Sequence, residues 1–142
     1  RRTVPTYYSE GDLWKELSAF AEKEEIEISS DTFTIYHDTE YREQDVDMEL
    51  CAPVKKAGEN REPFCFRMTE AVPAMASTMV YGEFSNIKKA YLAFAKWLQK
   101  NSNYQMSAPV RQIVHRGPWN ENAPAKYLTE LQIPVEPLQN VL

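Results

Sequence analysis

The stretch Tyr127-Leu128-Thr129-Glu130-Leu131-Gln132-Ile133-Pro134-Val135 decides how this chain folds, and its pattern predicts a β-strand. The stretch contains β-branched apolar residues, which strands favour, and a proline, which commonly bounds a strand. Because successive side chains of a strand point to opposite faces, Leu131 and Ile133 share one face, suited to packing under a helix. Glu130 then lies on the other face, in the middle of the strand. A glutamate at such a position is commonly a solvated surface residue, and that interpretation stays open beside a functional one.

An earlier part of the chain repeats this pattern. The sequence Glu-Leu-x-x-Pro-Val occurs at residues 49–54 and again at 130–135, and Ile-x-His precedes it at 35–37 and at 113–115. Two copies in the same order indicate an internal duplication, with repeats at about 1–55 and 62–137. A repeat with only half the core of a domain should pair with its copy, which predicts a groove on the pseudo-two-fold axis between them.

The helix and strand patterns give the fold class. Apolar stripes at helical spacing predict helices at about 9–25 and 85–100, with Leu13, Leu17 and Phe20 on the inner face of the first and Ile87, Tyr91 and Phe94 on that of the second. Alternation predicts strands at 32–37, 46–54, 64–70, 75–84, 110–116 and 127–135, and residues 1–8 have the character of a strand end. The order (β)αββ–ββαββ predicts an α+β fold: duplicated βαββ modules form an antiparallel sheet with both helices on one face. Tyr36, Glu49 and Glu130 are expected on the other face.

Composition limits the classes of function. The chain has 142 residues, 43% of them hydrophobic, which is enough for one domain with its own core. Its net charge of -5 makes it a poor candidate for binding nucleic acid by itself, and no apolar run is long enough to span a membrane. Because the chain begins at Arg1 rather than at a methionine, we expect a fragment or a processed product.

The cysteines and histidines show no metal-ligand spacing, so we predict no metal and no cofactor. Cys51 and Cys65 are too few for a disulfide framework and are expected to be reduced, in a cytoplasmic protein. His37 and His115 are interpreted as paired or half-exposed strand residues.

Several of these motifs together resemble the GyrI-like (gyrase-inhibitor-like) small-molecule-binding domain. They are Ile-Tyr-His-Asp at 35–38, both copies of Glu-Leu-x-x-Pro-Val, Tyr-Gly-Glu-Phe at 81–84 followed by a helix, and the final strand motif, which is the most specific. The resemblance covers nearly the whole chain. It implies two βαββ modules with a ligand cleft between them, most often seen as the C-terminal effector-binding half of MerR- or AraC-type bacterial transcription regulators.

The resemblance also implies a binding site. A glutamate of the last strand lies at the centre of the family's pocket, and Glu130 is the matching residue here. Family pockets are rich in aromatic residues, and Glu49 is the repeat's counterpart of Glu130. The candidate ligand-binding residues are therefore Glu130, Tyr36, Trp119, Tyr81, Tyr127 and Glu49.

Three functions remain open on this resemblance. The first is the effector sensor of a regulator, binding several lipophilic cations, with DNA bound only by an N-terminal domain that these residues do not include and with a homodimer left open for the full-length protein. The second is a small-molecule hydrolase of the same fold, in which Glu130 acts as general base beside Tyr36. The third is a protein inhibitor that acts by surface contact. We favour the sensor because the chain begins inside an element, as an excised domain would.

Overall fold

The computed structural model describes residues 1–39 and 42–138 and has an α+β fold with two α-helices and seven β-strands. The predicted fold class is therefore confirmed. The chain divides into two compact units, Arg1–Ala71 and Val72–Leu142. No helix within the described residues is long and apolar enough to cross a membrane.

The first unit contains β1 (Arg2–Val4), α1 (Glu10–Lys23), β2 (Phe33–Tyr36) and β3 (Val46–Cys51). Strand β3 pairs antiparallel with β1 on one side and with β2 on the other, so the predicted strand at the chain start exists. The core consists of Val4, Val46 and Met48, and Leu13 of α1 packs against it. Burial of these apolar side chains fixes α1 on one face of the three strands.

The second unit contains β4 (Met75–Tyr81), α2 (Ile87–Lys100), β5 (Tyr104–Met106), β6 (Val110–Arg116) and β7 (Leu128–Pro137). Strand β7 is central, because β4, β5 and β6 all pair with it antiparallel. Its buried residues Leu131, Ile133 and Val135 form the core, and Tyr91 and Phe94 of α2 pack on them. The predicted inner face of the decisive strand is thus confirmed.

The strand predicted at 64–70 is wrong. Phe64 turns back to form an isolated bridge with Arg61, and its ring stacks on Phe20 of α1 with centroids 4.0 Å apart. Phe64 and Phe66 of this segment therefore pack their rings on Phe20 and Gly58 rather than in a ladder, while Met68 is 92% exposed. The additional strand of the fold is β5, which the sequence did not predict.

Two smaller expectations have clear outcomes. Strand β4 ends at Tyr81, earlier than predicted, because Gly82 adopts a φ of 94° that L-residues rarely take. Neither Cys51 nor Cys65 forms a disulfide, as predicted: Cys51 is half-buried and Cys65 is exposed.

Candidate functional site

Glu130 lies in the middle of β7, on the face opposite the core of the second unit. The ladder places Met79 of β4 and Ile113 of β6 directly beside it. Directly paired residues of antiparallel strands have side chains on the same face, so both neighbours share the face of Glu130. By the same register Tyr81 lies beside Leu128, one step along this face.

The surroundings of Glu130 are largely apolar and accessible. Leu128 and Ile113 are half-buried, whereas Met79 is 40% exposed and Tyr81 67% exposed. Arg111 lies further along the same face, beside Gln132. The structure therefore brings one predicted aromatic residue, Tyr81, to the face that carries Glu130.

Two side chains hold the carboxylate of Glu130 by hydrogen bonds. His115 Nε2 lies 3.0 Å from Oε1, and the amide of Gln132 donates to Oε2. The bond from His115, joined by the one from Gln132, outweighs burial and lowers the pKa of Glu130. Glu130 is therefore an anion at neutral pH, with 22% of its side chain exposed.

The first unit repeats this arrangement with one difference. His37 Nε2 lies 2.8 Å from Glu49 Oε1, on the face away from α1. Arg67 then places Nη2 2.6 Å and Nε 3.1 Å from Glu49 Oε2. Burial favours the neutral form of Glu49, but Arg67 and His37 outweigh it and lower its pKa.

Tyr36 does not lie on the face predicted for it. The register pairs Tyr36 with Met48, a core residue, and Ile35 with Glu49, so Tyr36 points toward α1 while Glu49 points away. Its hydroxyl donates to Glu10 Oε1 of α1 over 2.6 Å. Burial raises the pKa of Glu10, although hydrogen bonds from Tyr36, Thr34 and Trp14 oppose the change. Tyr36 therefore belongs to a polar network under α1.

The other two predicted aromatic residues lie in loops of the second unit. Trp119 is 65% exposed in the turn after β6, and its indole lies against Gly117. Tyr127 directly precedes β7, and its ring contacts Phe84 with centroids 5.1 Å apart. A role for either in ligand binding stays a prediction.

Sequence reasoning left out the partners of the two glutamates. His37 and His115 are both paired, as interpreted, although His37 lies directly after β2 rather than in a strand. Their pairing with Glu49 and Glu130 was not foreseen. The signal was present, because Ile-x-His and Glu-Leu-x-x-Pro-Val recur together in both repeats. Arg67 gave no such signal, since it lies outside the repeated motifs.

The described ranges 1–39 and 42–138 contain no group of three or more histidine, cysteine, aspartate or glutamate side chains placed to hold an ion. The two histidine–glutamate pairs supply hydrogen bonds and charge.

Comparison with known proteins identifies the fold family. The crystal structure of the EcmrR C-terminal domain is similar with a TM-score of 0.86 and 27% identity, over 96% of this chain and 87% of that one. EcmrR in a cryo-EM structure of its DNA complex is similar with a TM-score of 0.87 and 27% identity, over 96% of this chain. This chain spans 52% of the EcmrR chain in that complex. No curated protein sequence matches.

The family assignment comes from the sequence itself. Residues 4–136 match the family described as the GyrI-like small molecule binding domain. The match covers both units, including both histidine–glutamate pairs. The chain belongs to the GyrI-like small-molecule-binding domain family.

Proposed function

We propose that this domain is the ligand-sensing part of a bacterial, cytoplasmic transcription regulator, and that it binds lipophilic cations at Glu130. Membership of a small-molecule-binding family supports the general activity. The similarity to EcmrR, which is seen in complex with DNA, supports the regulatory setting. DNA binding and dimerisation would then belong to other parts of the regulator.

One observation carries the choice of ligand. Glu130 is a half-buried anion whose two hydrogen bonds come from an imidazole and an amide, and Met79, Ile113 and Tyr81 lie on the same face. A carboxylate next to apolar groups loses part of its hydration, and a cation restores this by charge pairing. The body of a lipophilic cation can meanwhile cover the apolar side chains and stack on the tyrosine ring.

Such a site would accept several cations. Apolar contacts are non-directional, so they add affinity without demanding one ligand shape. The flexible side chain of methionine adapts to ligands of different outline, as it does at other promiscuous surfaces. We therefore include multidrug binding in the proposal, with Trp119 and Tyr127 as further aromatic candidates.

A groove of the first unit is a weaker candidate site. It is open, has a volume of about 280 Å³ and includes none of the predicted ligand-binding residues. Glu25, Glu27, Lys55 and Lys56 line it, so both signs of charge are already present there. A groove that neutralises itself gives a lipophilic cation little to gain.

No observation favours the hydrolase alternative. That alternative uses the hydroxyl of Tyr36 beside Glu130, yet this hydroxyl donates to Glu10 beneath α1. The pKa of Glu130 is lowered, whereas a general base at neutral pH works best with a pKa near 7. Both facts favour binding over proton transfer.

The proposal is tested with Glu130→Gln, which keeps the side-chain shape and removes the charge. Calorimetry uses three probes: rhodamine 6G, a flat cation with N–H donors; tetraphenylphosphonium, a cation without donors; and tetraphenylborate, an anion of the same shape. We expect binding of both cations to weaken by about 1.5–3 kcal/mol, or roughly 10- to 150-fold, and binding of the anion to improve or stay weak.

Glu136→Gln is the matched control, because Glu136 is an exposed carboxylate of the same strand. It should leave all three affinities within about twofold, as a surface change usually does. If Glu130→Gln binds both cations as tightly as the parent, Glu130 is a surface residue and the proposed site is wrong.

A further inference from the structure

The two histidine–glutamate pairs differ in what the second carboxylate oxygen binds. In both units a histidine Nε2 contacts Oε1, at 2.8 Å for His37 and Glu49 and 3.0 Å for His115 and Glu130. At Oε2, Glu130 accepts from the neutral amide of Gln132, whereas Glu49 accepts from the guanidinium of Arg67. The first pair therefore already holds a full positive charge.

Arg67 binds Glu49 as a cationic ligand would, except that it is part of the protein chain. Its Nε and Nη2 both donate to one oxygen of Glu49, at 3.1 and 2.6 Å, which is the forked contact that distinguishes guanidinium from ammonium. Its side chain stays 38% exposed, while those of Glu49 and His37 are only 14% and 15% exposed. The half-buried carboxylate of Glu49, with His37 bonded to it, forms the site, and the exposed arginine occupies it from the solvent side.

The segment that carries Arg67 is anchored, so this occupation is a fixed feature of the first unit. Phe64 stacks on Phe20 of α1, with rings nearly parallel at 6°. The backbone N–H of Phe66 donates to Asn60 Oδ1 over 2.8 Å, and the Phe66 ring lies against Gly58 so closely that a Cβ there would meet it at 2.9 Å. These contacts position Arg67 beside Glu49, although the segment that carries Arg67 is neither a helix nor a strand.

We propose that Glu49 and His37 form a second cation site, which the protein's own Arg67 occupies. Once Arg67 is removed, this site binds guanidinium or amidinium groups. The planar fork of these groups can reproduce the two N–H contacts that Arg67 makes, whereas an ammonium group offers no such planar pair. Because Arg67 occupies the second site, the intact domain should bind one cation per chain, at Glu130; this consequence rests on the function proposed for Glu130. The existence of the site occupied by Arg67 does not rest on that function.

The experiment removes Arg67 and supplies the missing group from solution. All variants carry Glu130→Gln, so that binding at Glu130 contributes nothing. In the Arg67→Ala variant, we expect N-ethylguanidinium to raise the melting temperature by about 3–6 °C at ten times its dissociation constant. The ring proton signals of His37 should shift along the same titration, which locates the ligand at the pair.

Three controls separate this site from general ion effects. Arg67→Ala with Glu49→Gln should lose both responses to N-ethylguanidinium. N-Ethylurea has the planar fork without the charge, and ethylammonium has the charge without the fork, so each should give less than half of the stabilisation. The variant that retains Arg67 should show no His37 shift at the same concentration.

Either of two results overturns the proposal: no stabilisation of Arg67→Ala by N-ethylguanidinium, or equal stabilisation when Glu49 is also replaced. If Arg67→Ala does not fold, Arg67→Lys keeps a cation beside Glu49, and N-ethylguanidinium should still displace it and shift the His37 signals. An unshifted His37 in that variant also overturns the proposal. A failure of cation binding at Glu130 in the parent chain leaves these results unaffected, so the two proposals fail separately.

Discussion

His115 and Glu130 are joined across β6 and β7 by a hydrogen bond of 3.0 Å between Nε2 and Oε1. This bond is the main cause of the lowered pKa of Glu130, ahead of the contribution from Gln132. It also orients the carboxylate, because the imidazole takes one oxygen and the amide takes the other. His115 is thus a positioning residue for the proposed ligand site.

Removing His115 or Gln132 should raise the pKa of Glu130, and removing His115 should raise it more. His115→Ala removes the larger cause and should raise it more than Gln132→Ala, toward the ordinary value of about 4.3. A lowered pKa adds stability above the unfolded pKa, and this stability is lost as pH falls through the folded pKa. His115→Ala should therefore lose less stability on acidification than the parent. A carboxyl ¹³C titration checks the order, and a larger rise in Gln132→Ala would contradict it.

Ionisation of Glu10 should affect stability in the opposite direction, so that stability falls as pH rises. Its pKa is raised, chiefly by burial, so the folded state favours its neutral form. The stability tied to that form is present below the unfolded pKa and is lost as pH rises through the folded pKa. Glu10→Gln keeps an acceptor for the hydroxyl of Tyr36 and cannot ionise. Compared with the parent, it should gain on the order of 1 kcal/mol between about pH 4 and pH 8.

Urea denaturation at a series of pH values measures this difference. Asp12→Asn is the control, because Asp12 is an exposed carboxylate of the same helix. A parallel test uses Tyr36→Phe, which removes the main hydrogen bond opposing burial and should raise the pKa of Glu10 further. If the parent and Glu10→Gln lose stability equally as pH rises, Glu10 is not desolvated.

The inner face of β7 was predictable because one alternating set is apolar and the other is not. Leu131 and Ile133 are nearly fully buried, whereas Glu130 and Gln132 alternate with them and lie on the other face. The helices were predictable for a similar reason, since each has one apolar stripe. In these elements the sequence pattern and the packing agree.

The face of β2 was not predictable, because both of its alternating sets are buried. Thr34 is 3% exposed and Ile35 is 6% exposed, although they point in opposite directions. Alternation shows which residues of a strand share a face. Which of the two faces lies toward α1 depends on the register with β3, and the connection of several residues between β2 and β3 does not reveal that register. The role of Arg67 was not predictable for another reason. Its ion pair with Glu49, 18 residues away, produces no periodic pattern in the sequence.

The packing of α2 on β7 gives a direct stability test. Phe94 lies against the cluster of Leu131, Ile133 and Val135, while Leu92 of the same helix is 59% exposed. Phe94→Ala should lower the free energy of unfolding by about 2–4 kcal/mol, because it removes buried apolar surface and leaves a cavity. Leu92→Ala should change it by less than about 0.5 kcal/mol. Chemical denaturation measures both, and equal losses would mean that the helix face is wrongly assigned.

Gly117 fixes the position of Trp119, a predicted ligand-binding residue. A Cβ at Gly117 would lie 2.8 Å from the indole of Trp119 and 2.9 Å from Val114, both too close for a real contact. Gly117→Ala should therefore displace the indole and lower the free energy of unfolding by about 1–3 kcal/mol, as overpacking does. Gly11→Ala is the matched control, since nothing lies within 4 Å of its added Cβ and alanine favours a helix by up to about 1 kcal/mol.

Fluorine NMR can follow the indole itself. The chain has three tryptophans, so labelling with 5-fluorotryptophan gives three resonances, which single Trp→Phe variants assign. In Gly117→Ala we expect the Trp119 resonance to move, whereas those of Trp14 and Trp97 should stay in place. If Trp119 contributes to binding as predicted, Gly117→Ala should also weaken rhodamine 6G binding by several-fold, because stacking on an aromatic ring depends on its position. An unmoved Trp119 resonance would show that the turn yields instead of the indole, and a moved resonance with unchanged affinity would exclude Trp119 from the site.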